Sequence, residues 1–252
     1  MNANDNGETV APTIQNCQFK ESSNYGLYVY ASNANATAAP AIQNTQVFSN
    51  STYGLYANAA SSGSTASPSL SNSVLAYNGT AVYALAGNGM TTTVGVQSTE
   101  IRHSTNWPVY LSGNGWANDL GGVNIHDNHY GAVAVAGALY VHRTWTPFSG
   151  LPYWLDADVT VGNGVILTLP ADLLVKADSS SDLLVDGTLV LQSSAGHEIV
   201  FTSYRDDSYG GDTNGDGVTS GARGDWSGIA LRSNLTTNFH DAIVRFASTA
   251  LT

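Results

Sequence analysis

The chain has 252 residues and a formal net charge of −11, and only 11% of its residues are charged. Charge this sparse, together with 26 glycines, is typical of a folded chain with many tight turns and not of a disordered tail. The 8 lysines and arginines form no basic run, which excludes a nucleic-acid interface. No apolar run is long enough to span a membrane, and the negative charge disfavours acidic glycans unless a metal bridges them.

The first half of the chain contains an internal repeat of 24–28 residues. Pro12, Pro40 and Pro68 lie 28 residues apart, and weaker copies start at Val96 and Asn124. Within each copy apolar residues alternate with period two, as in β-strands, and short turns separate the strands. This pattern predicts an all-β fold, a right-handed parallel β-helix (β-solenoid) with one repeat per coil. One apolar column of this stack comprises Phe19, Val47, Leu75, Ile101 and Ile125.

The second half repeats in a different way. Residues 159–175 align with residues 183–201, 24 to 26 positions later, with Asn163-Gly164 and Asp186-Gly187 marking tight turns. Residues 139–155 fit neither repeat and are expected to form a connector or cap. We therefore predict two blocks of one solenoid, residues 1–138 and 139–252.

Residues 153–247 carry a recognisable series of segments: DVTVGNGVIL, LLVKA, LLVDGTLV, HEIVFTSYRDDSYGGDTNGDG, GDWSGI and AIVRFA. This series resembles the β-helix units of large secreted and surface proteins of bacteria. The resemblance implies an extracellular module, joined to other modules of a larger parent protein. It implies no activity, because such units occur in adhesins, enzymes and accessory modules alike. The N-terminal residues show no signal-peptide pattern.

An Asp-rich loop in this region predicts a structural calcium site. Asp212, Asn214 and Asp216 alternate before Gly217, a spacing that points oxygen ligands at one cation, with the carbonyl of Val218 as a further ligand. Arg223 stands where an EF-hand has its bidentate glutamate, so Asp206, Asp207 or Asp225 is expected to complete the shell. The alternative is a solvated acidic loop without a metal.

A column of tyrosines predicts a ligand-binding face. If Leu27, Leu55, Val82 and Val109 point inward, the next residue of each strand points outward. The outward column is Tyr28, Tyr56, Tyr83 and Tyr110, and the aromatic residues expected to flank it are Tyr25, Tyr53, Trp107 and Trp116. A row of aromatic rings is suited to stacking against the C–H faces of a polysaccharide. The alternative is that the tyrosines stabilise the sheet as a side-chain ladder.

Two further columns are less specific. With an offset of 24 residues, Arg102 stacks on His126 and His103 on Asp127, which places histidine beside carboxylate and allows proton transfer. The alternative, which we favour, is a surface polar network. The column of Asn16, Asn44 and Asn72 is expected to form stacked side-chain hydrogen bonds at a turn.

These features favour a non-catalytic carbohydrate-binding module over an enzyme. Its architecture is similar to β-helical carbohydrate-binding modules of plant-polysaccharide-degrading enzymes, which implies a neutral, xylan-like β-glycan as partner and no nucleic acid or membrane. The first alternative is a bacterial surface adhesin or structural stalk. The second is a polysaccharide lyase or glycoside hydrolase, although paired acids are hard to assemble from the six carboxylates of residues 1–138.

Overall fold

The computed structural model describes residues 1–232 and 237–252, and the regular secondary structure within these ranges is β-strand throughout. The strands stack in parallel as a β-solenoid, so the predicted all-β parallel β-helix is confirmed. The chain forms two compact units, Met1–Gly131 and Ala132–Thr252. No helix that could cross a membrane occurs in the described part of the chain.

The strands of the first unit are, in chain order, β1 (Asn2–Ala3), β2 (Thr9–Val10), β3 (Thr13–Gln15), β4 (Gln18–Lys20), β5 (Tyr25–Ala31), β6 (Thr37–Ala38), β7 (Ala41–Gln43), β8 (Gln46–Phe48), β9 (Tyr53–Ala59), β10 (Thr65–Ala66), β11 (Ser69–Ser71), β12 (Val74–Ala76), β13 (Thr80–Ala86), β14 (Thr91–Gln97), β15 (Glu100–Arg102), β16 (Val109–Gly113), β17 (Gly115–Asp119) and β18 (Asn124–His126). They form three faces of the solenoid. Face A has the order β1-β5-β9-β13-β16, and face C has the order β4-β8-β12-β15-β18. Face B contains the remaining strands, with β14 pairing both β10 and β11.

Proline explains why face B is divided into short strands. Proline has no amide hydrogen, so Pro12, Pro40 and Pro68 cannot donate to the ladder and each separates two short strands. Val94 of β14 lies at the equivalent position one coil further on, and β14 is continuous. The proline carbonyls still accept, since the amides of Ala41, Ser69 and Gly95 donate to them at 3.0 Å.

The core of this unit consists of inward columns in register. The predicted column Phe19-Val47-Leu75-Ile101-Ile125 pairs coil on coil along face C. On face A, Leu27 pairs with Leu55, Leu55 with Val82 and Val82 with Val109, and all four are buried. Burying each such side chain contributes about 1.5–3 kcal/mol, and no coil can bury its own without a neighbour.

The asparagine column at the turn after β3 has a backbone role. Asn16, Asn44 and Asn72 are exposed and adopt left-handed φ angles of 54°, 48° and 49°, which asparagine tolerates better than most residues. Side-chain stacking occurs instead between two other asparagines, both buried. The amide N and the Nδ2 of Asn50 donate to Oδ1 of Asn78 at 3.2 and 2.9 Å, and Nδ2 of Asn78 donates to the carbonyl of Val47 at 2.9 Å.

The strands of the second unit are β19 (Val133–Leu139), β20 (Arg143–Thr144), β21 (Tyr153–Val161), β22 (Ile166–Pro170), β23 (Leu174–Ala177), β24 (Asp182–Val185), β25 (Thr188–Gln192), β26 (Ile199–Ser203), β27 (Trp226–Leu231), β28 (Ala242–Val244) and β29 (Ala247–Leu251). The predicted repeat is present: Val159 pairs with Leu183, Ile166 with Thr188, and Leu174 with Val200. These offsets are 24, 22 and 26 residues, so the middle strand has a shorter period than predicted. The segment 139–155, predicted as a connector, contains β20 and the start of β21.

We predict that Asn78→Ala destabilises the protein by about 2–4 kcal/mol, because the buried backbone amide of Asn50 and the carbonyl of Val47 lose the hydrogen bonds that Asn78 gives them. The Nδ2 of Asn50 keeps only its weaker bond to the carbonyl of Phe19, at 3.3 Å. Chemical denaturation of the two proteins measures this difference in free energy of unfolding. Asn58→Ala, on the outer side of face A, is the control and should change it by less than about 0.5 kcal/mol. Equal effects of the two substitutions would contradict the buried ladder.

Candidate functional site

The predicted tyrosine column lies in register along face A of the first unit. Tyr28 pairs with Tyr56, Tyr56 with Tyr83 and Tyr83 with Tyr110, one tyrosine per coil. All four side chains are half-buried and alternate with the buried inward residues of the same strands. Four rungs about 4.8 Å apart give a row about 15 Å long. The row therefore has the outward orientation that the alternation of the sequence predicts.

Three of the four tyrosine rings in this row stack on one another, whereas the ring of Tyr28 lies 5.4 Å from that of Tyr56 with planes tilted by 43°. The ring centroids of Tyr56 and Tyr83 are 5.2 Å apart with planes 13° from parallel, and those of Tyr83 and Tyr110 are 4.9 Å apart at 18°. Tyr25 and Tyr53 stack beside them at 5.7 Å and 8°. Parallel rings this close overlap with an offset, so each ring covers part of its neighbour's face. The surface presents ring edges and partial faces in a continuous aromatic band, not a series of fully open faces.

Burial in this band shifts the ionisation of its phenols. The pKa values of Tyr28, Tyr53 and Tyr56 are raised, first by desolvation and then by the neighbouring tyrosines. The hydroxyl groups are therefore neutral over the physiological range and can both donate and accept hydrogen bonds. This chemistry is suited to the hydroxyl groups of a neutral ligand.

Two of the predicted flanking residues offer little surface. Trp107 is 4% exposed, and its ring packs 4.2 Å from that of Tyr130. Trp116 is 8% exposed and lies on β17 of face B, where its indole Nε1 donates to Oδ1 of Asn118 at 3.1 Å. The sequence alone could not show that these tryptophans are buried while the tyrosines point outward. The turns before them differ in length from those of the earlier coils, so the inward and outward positions cannot be counted across them. We leave both tryptophans out of the binding surface.

The predicted histidine cluster forms on face C. Arg102 pairs with His126 one coil away, and the carbonyl of Asp127 accepts a hydrogen bond from the amide of His103. The ring of His126 lies between two carboxylates, with Nδ1 2.8 Å from Asp127 and Nε2 3.0 Å from Glu100. Arg102 Nε is 3.0 Å from the same Glu100 oxygen.

This geometry favours the polar network over catalysis. Both ring nitrogens of His126 are engaged by carboxylates, so neither is available to take a proton from a substrate. Hydrogen bonds to Asp127 and then Glu100 raise the pKa of His126, and the bond with His126 lowers the pKa of Asp127. Both shifts favour the ion pair. Glu100, which joins Arg102 to His126, was not among the residues singled out from the sequence, although its place one strand position before Ile101 aligns it with the outward side.

The Asp-rich loop of the second unit brings together three of the predicted metal ligands. Oxygens of Asp207, Asp212 and Asp216 lie within 4.8 Å of one another, close enough to share one cation at the 2.3–2.6 Å typical of calcium. Asp225 instead accepts hydrogen bonds from Ser203 and the amide of Ala222, and is not part of this cluster. Val218 is 98% exposed, and Asn214 accepts from the amide of Asp216 at 3.4 Å.

A buried lysine beside the loop went unnoticed in the sequence. Lys176 has no exposed surface, and its Nζ donates to the carbonyl of Gly211 at 2.9 Å. Burial lowers its pKa, while Asp207 and its acidic neighbours oppose that shift. Lys176 is the outward residue of LLVKA in β23, and only the insertion that covers it makes it buried. Even when protonated, Lys176 carries one positive charge against the three clustered carboxylates.

Comparison with known proteins adds no family to this description: no family model matches the sequence, and neither the curated proteins nor the solved structures contain a significant match.

We predict that His126 titrates above its ordinary value of 6.5, because the charged ring is held by Asp127 and Glu100. A raised native pKa stabilises the fold below the unfolded value, and this contribution is lost as pH rises through the native pKa. NMR titration of the imidazole signals measures the pKa. Asp127→Asn should lower it, whereas Glu21→Gln, at the same left-handed turn position four coils earlier, should leave it unchanged. An unshifted wild-type pKa would contradict the bridge.

Proposed function

We propose that this protein is a non-catalytic carbohydrate-binding module that recognises a neutral, xylan-like polysaccharide through face A. The observation that carries the proposal is the in-register row of half-exposed tyrosines, Tyr28, Tyr56, Tyr83 and Tyr110, with Tyr25 and Tyr53 beside it. Isolated exposed aromatics need no explanation, but a contiguous aromatic band on a surface usually marks an interaction site. The module would bind its polysaccharide ligand outside the cell.

The spacing of the band supports an extended ligand. Successive rings are separated by one coil, about 4.8 Å, which is near the rise of a β-linked glycan. A glycan running along the band would meet a new ring edge with each sugar. Because the rings partly cover each other, hydrogen bonds to neutral phenols contribute beside stacking. The net charge of −11 adds repulsion against polyanionic glycans and none against neutral ones.

The tyrosine ladder also stabilises the sheet, and the two roles are compatible. Aromatic pairs contribute about 0.5–1.5 kcal/mol each beyond their buried area. Rings held by their neighbours lose little conformational entropy when a ligand binds, so a stacked row is preorganised for a long glycan. Stacking of the tyrosines as a side-chain ladder therefore makes the proposed binding surface rigid.

We expect the protein to bind soluble neutral β-glycans such as xylan in affinity electrophoresis or calorimetry. Tyr56→Ala should weaken binding by about 1–2 kcal/mol, or five- to thirtyfold, because it removes the centre of the band. Tyr56→Phe should weaken it less, since the ring remains and only the hydroxyl group is lost.

Tyr140→Ala, an exposed tyrosine of the second unit, is the matched control and should leave affinity unchanged. Each variant is first compared with the wild type by circular dichroism, so that loss of folding is not scored as loss of binding. Absence of binding to every neutral glycan, or unchanged binding by Tyr56→Ala, would overturn the proposal. Release of reducing ends or unsaturated products from a glycan would favour an enzyme instead.

We also propose that the Asp-rich loop holds a structural calcium ion. The support is the mutual approach of Asp207, Asp212 and Asp216 and one buried oxygen, Oδ1 of Asp207, that has no hydrogen-bond partner among the described residues. An ion would compensate the charge that Lys176 leaves unbalanced and pin the long insertion between β26 and β27.

Calcium at a hundred times its dissociation constant should stabilise the fold by about 2.7 kcal/mol and raise the melting temperature by about 5–10 °C. Differential scanning calorimetry with calcium and with chelator measures the shift. Asp212→Asn should abolish the shift, and its single amide oxygen keeps the bond from the amide of Gly215 while losing that from the amide of Gly217. Asp172→Asn, exposed and elsewhere in the unit, should retain it. Equal melting temperatures with calcium and chelator would show that the loop needs no metal.

A further inference from the structure

Face C carries a hollow over its third coil, and the register explains why it is there. Val74 and Ala76 are the outward residues of β12 and are smaller than the outward residues of the coils on either side. Those neighbours are Gln46 and Phe48 on β8 and Glu100 and Arg102 on β15. One rung of small side chains between two rungs of large ones leaves a notch of about 210 Å³, lined by Gln46, Phe48, Val74, Ala76, Tyr77 and Arg102.

The width of the notch is set by the coil spacing. Phe48 and Arg102 stand two rungs apart, which places their backbones about 10 Å from each other. Contact distances of about 3.5–4 Å on each side leave room for one ring between the two walls. Ala76 lies at the base of the notch and is only 3% exposed, whereas Val74 and Phe48 keep part of their apolar surface accessible. The volume is below the range of about 300–1,000 Å³ typical of sites for drug-sized ligands, so it fits a single ring.

An exposed aromatic residue stands at one end of the notch. Tyr77 follows β12 in a left-handed turn with φ 56°, and its side chain is unusually exposed at 54%. Its ring stacks on that of His103, with centroids 4.8 Å apart and planes 20° from parallel, and the guanidinium carbon of Arg102 lies 5.6 Å from its centroid. The ring is therefore held in place from one side while its other surface remains exposed.

The polar groups of the rim are hydrogen-bond donors. Oε1 of Gln46 accepts from Nε2 of Gln18 at 3.0 Å, which leaves the Nε2 of Gln46 to donate to a ligand. Arg102 uses Nε for Glu100, and within the described ranges its two Nη groups take part in no hydrogen bond. Donors above an apolar floor match a ring that has C–H faces and hydroxyl oxygens.

The charges at the notch are already paired, which argues against an anionic ligand. Glu100 lies 3.0 Å from Arg102, and Lys20, whose amino group is 5.5 Å from the ring centre of Phe48, lies 3.9 Å from Glu21. A carboxylate ligand would have to compete with Glu100 for the guanidinium group. A neutral ligand meets no such competition.

We propose that this notch binds one neutral sugar ring, as the end or a single-residue branch of a glycan, separately from the tyrosine band on face A. The choice of a sugar rests on the proposed function, whereas the site itself rests on the notch. Val74 and Phe48 would contact the C–H face of the ring, and Gln46 and Arg102 would donate to its hydroxyl oxygens.

Methyl glycosides of xylose, arabinose, glucose and galactose are the probes, because one sugar ring is too short to span the tyrosine band. Two-dimensional amide NMR should show saturable shifts at Val74, Ala76 and Tyr77 with at least one of the four. Ala76→Phe fills the notch from its outward position and should weaken binding at least about tenfold. Arg102→Met keeps the bulk of the side chain, removes the donors and should also weaken it.

Asn124→Ala, on the outer side of the same face, is the control and should bind as the wild type does. Tyr56→Ala should lose polysaccharide affinity and keep the methyl glycoside shifts, so that failure of the band and failure of the notch are distinguishable. No shift with any of the four probes would overturn the proposal, as would binding by Ala76→Phe and Arg102→Met as tight as that of the wild type. Methyl glucuronide is the anionic comparison. Shifts with it and with none of the four neutral probes would contradict a neutral ligand and indicate an anion site.

Discussion

The register of the stacked coils determines what every side chain of the first unit can touch. In a parallel solenoid the nearest neighbours of a residue lie one coil before and one coil after it, about 4.8 Å away, and not along its own strand. A side chain therefore works as part of a column. Buried asparagines pair at Asn50 and Asn78, rings stack from Tyr56 to Tyr110, and one rung of small residues at Val74 and Ala76 becomes a notch.

The columns of the fold could be predicted because they repeat. Pro12, Pro40 and Pro68 set the period, and with it the inward leucines and outward tyrosines of face A follow from alternation alone. The Asp-rich loop could be located from the sequence, since D-x-N-x-D-G is a local pattern, and three of the residues named for it form one cluster. Asp225 does not join it because its hydrogen bonds to Ser203 and Ala222 depend on how the insertion folds back, which spacing along the chain does not encode.

Features that depend on a difference in side chains between neighbouring coils could not be predicted from the sequence. Asn16, Asn44 and Asn72 repeat perfectly, yet their shared property is a left-handed backbone, while the side-chain ladder lies at Asn50 and Asn78. The notch is visible only when Ala76 is compared with Phe48 and Arg102, two residues that its own strand does not contain. A repeat is recognised by what its coils have in common, so a coil that differs from its neighbours does not stand out.

The two candidate surfaces place opposite demands on their residues. In the tyrosine band each ring supports the next ring, and under the proposed function it would also contact the ligand. A substitution in the middle of the row removes two ring contacts, about 0.5–1.5 kcal/mol each. The notch is built on outward side chains, while their strand neighbours Val47, Leu75 and Ile101 are fully buried on the opposite, inward side of the face. Its walls can therefore change with little effect on stability. A rigid row suits a common backbone of repeated sugars, and a notch of exchangeable walls suits the one sugar that distinguishes one glycan from another.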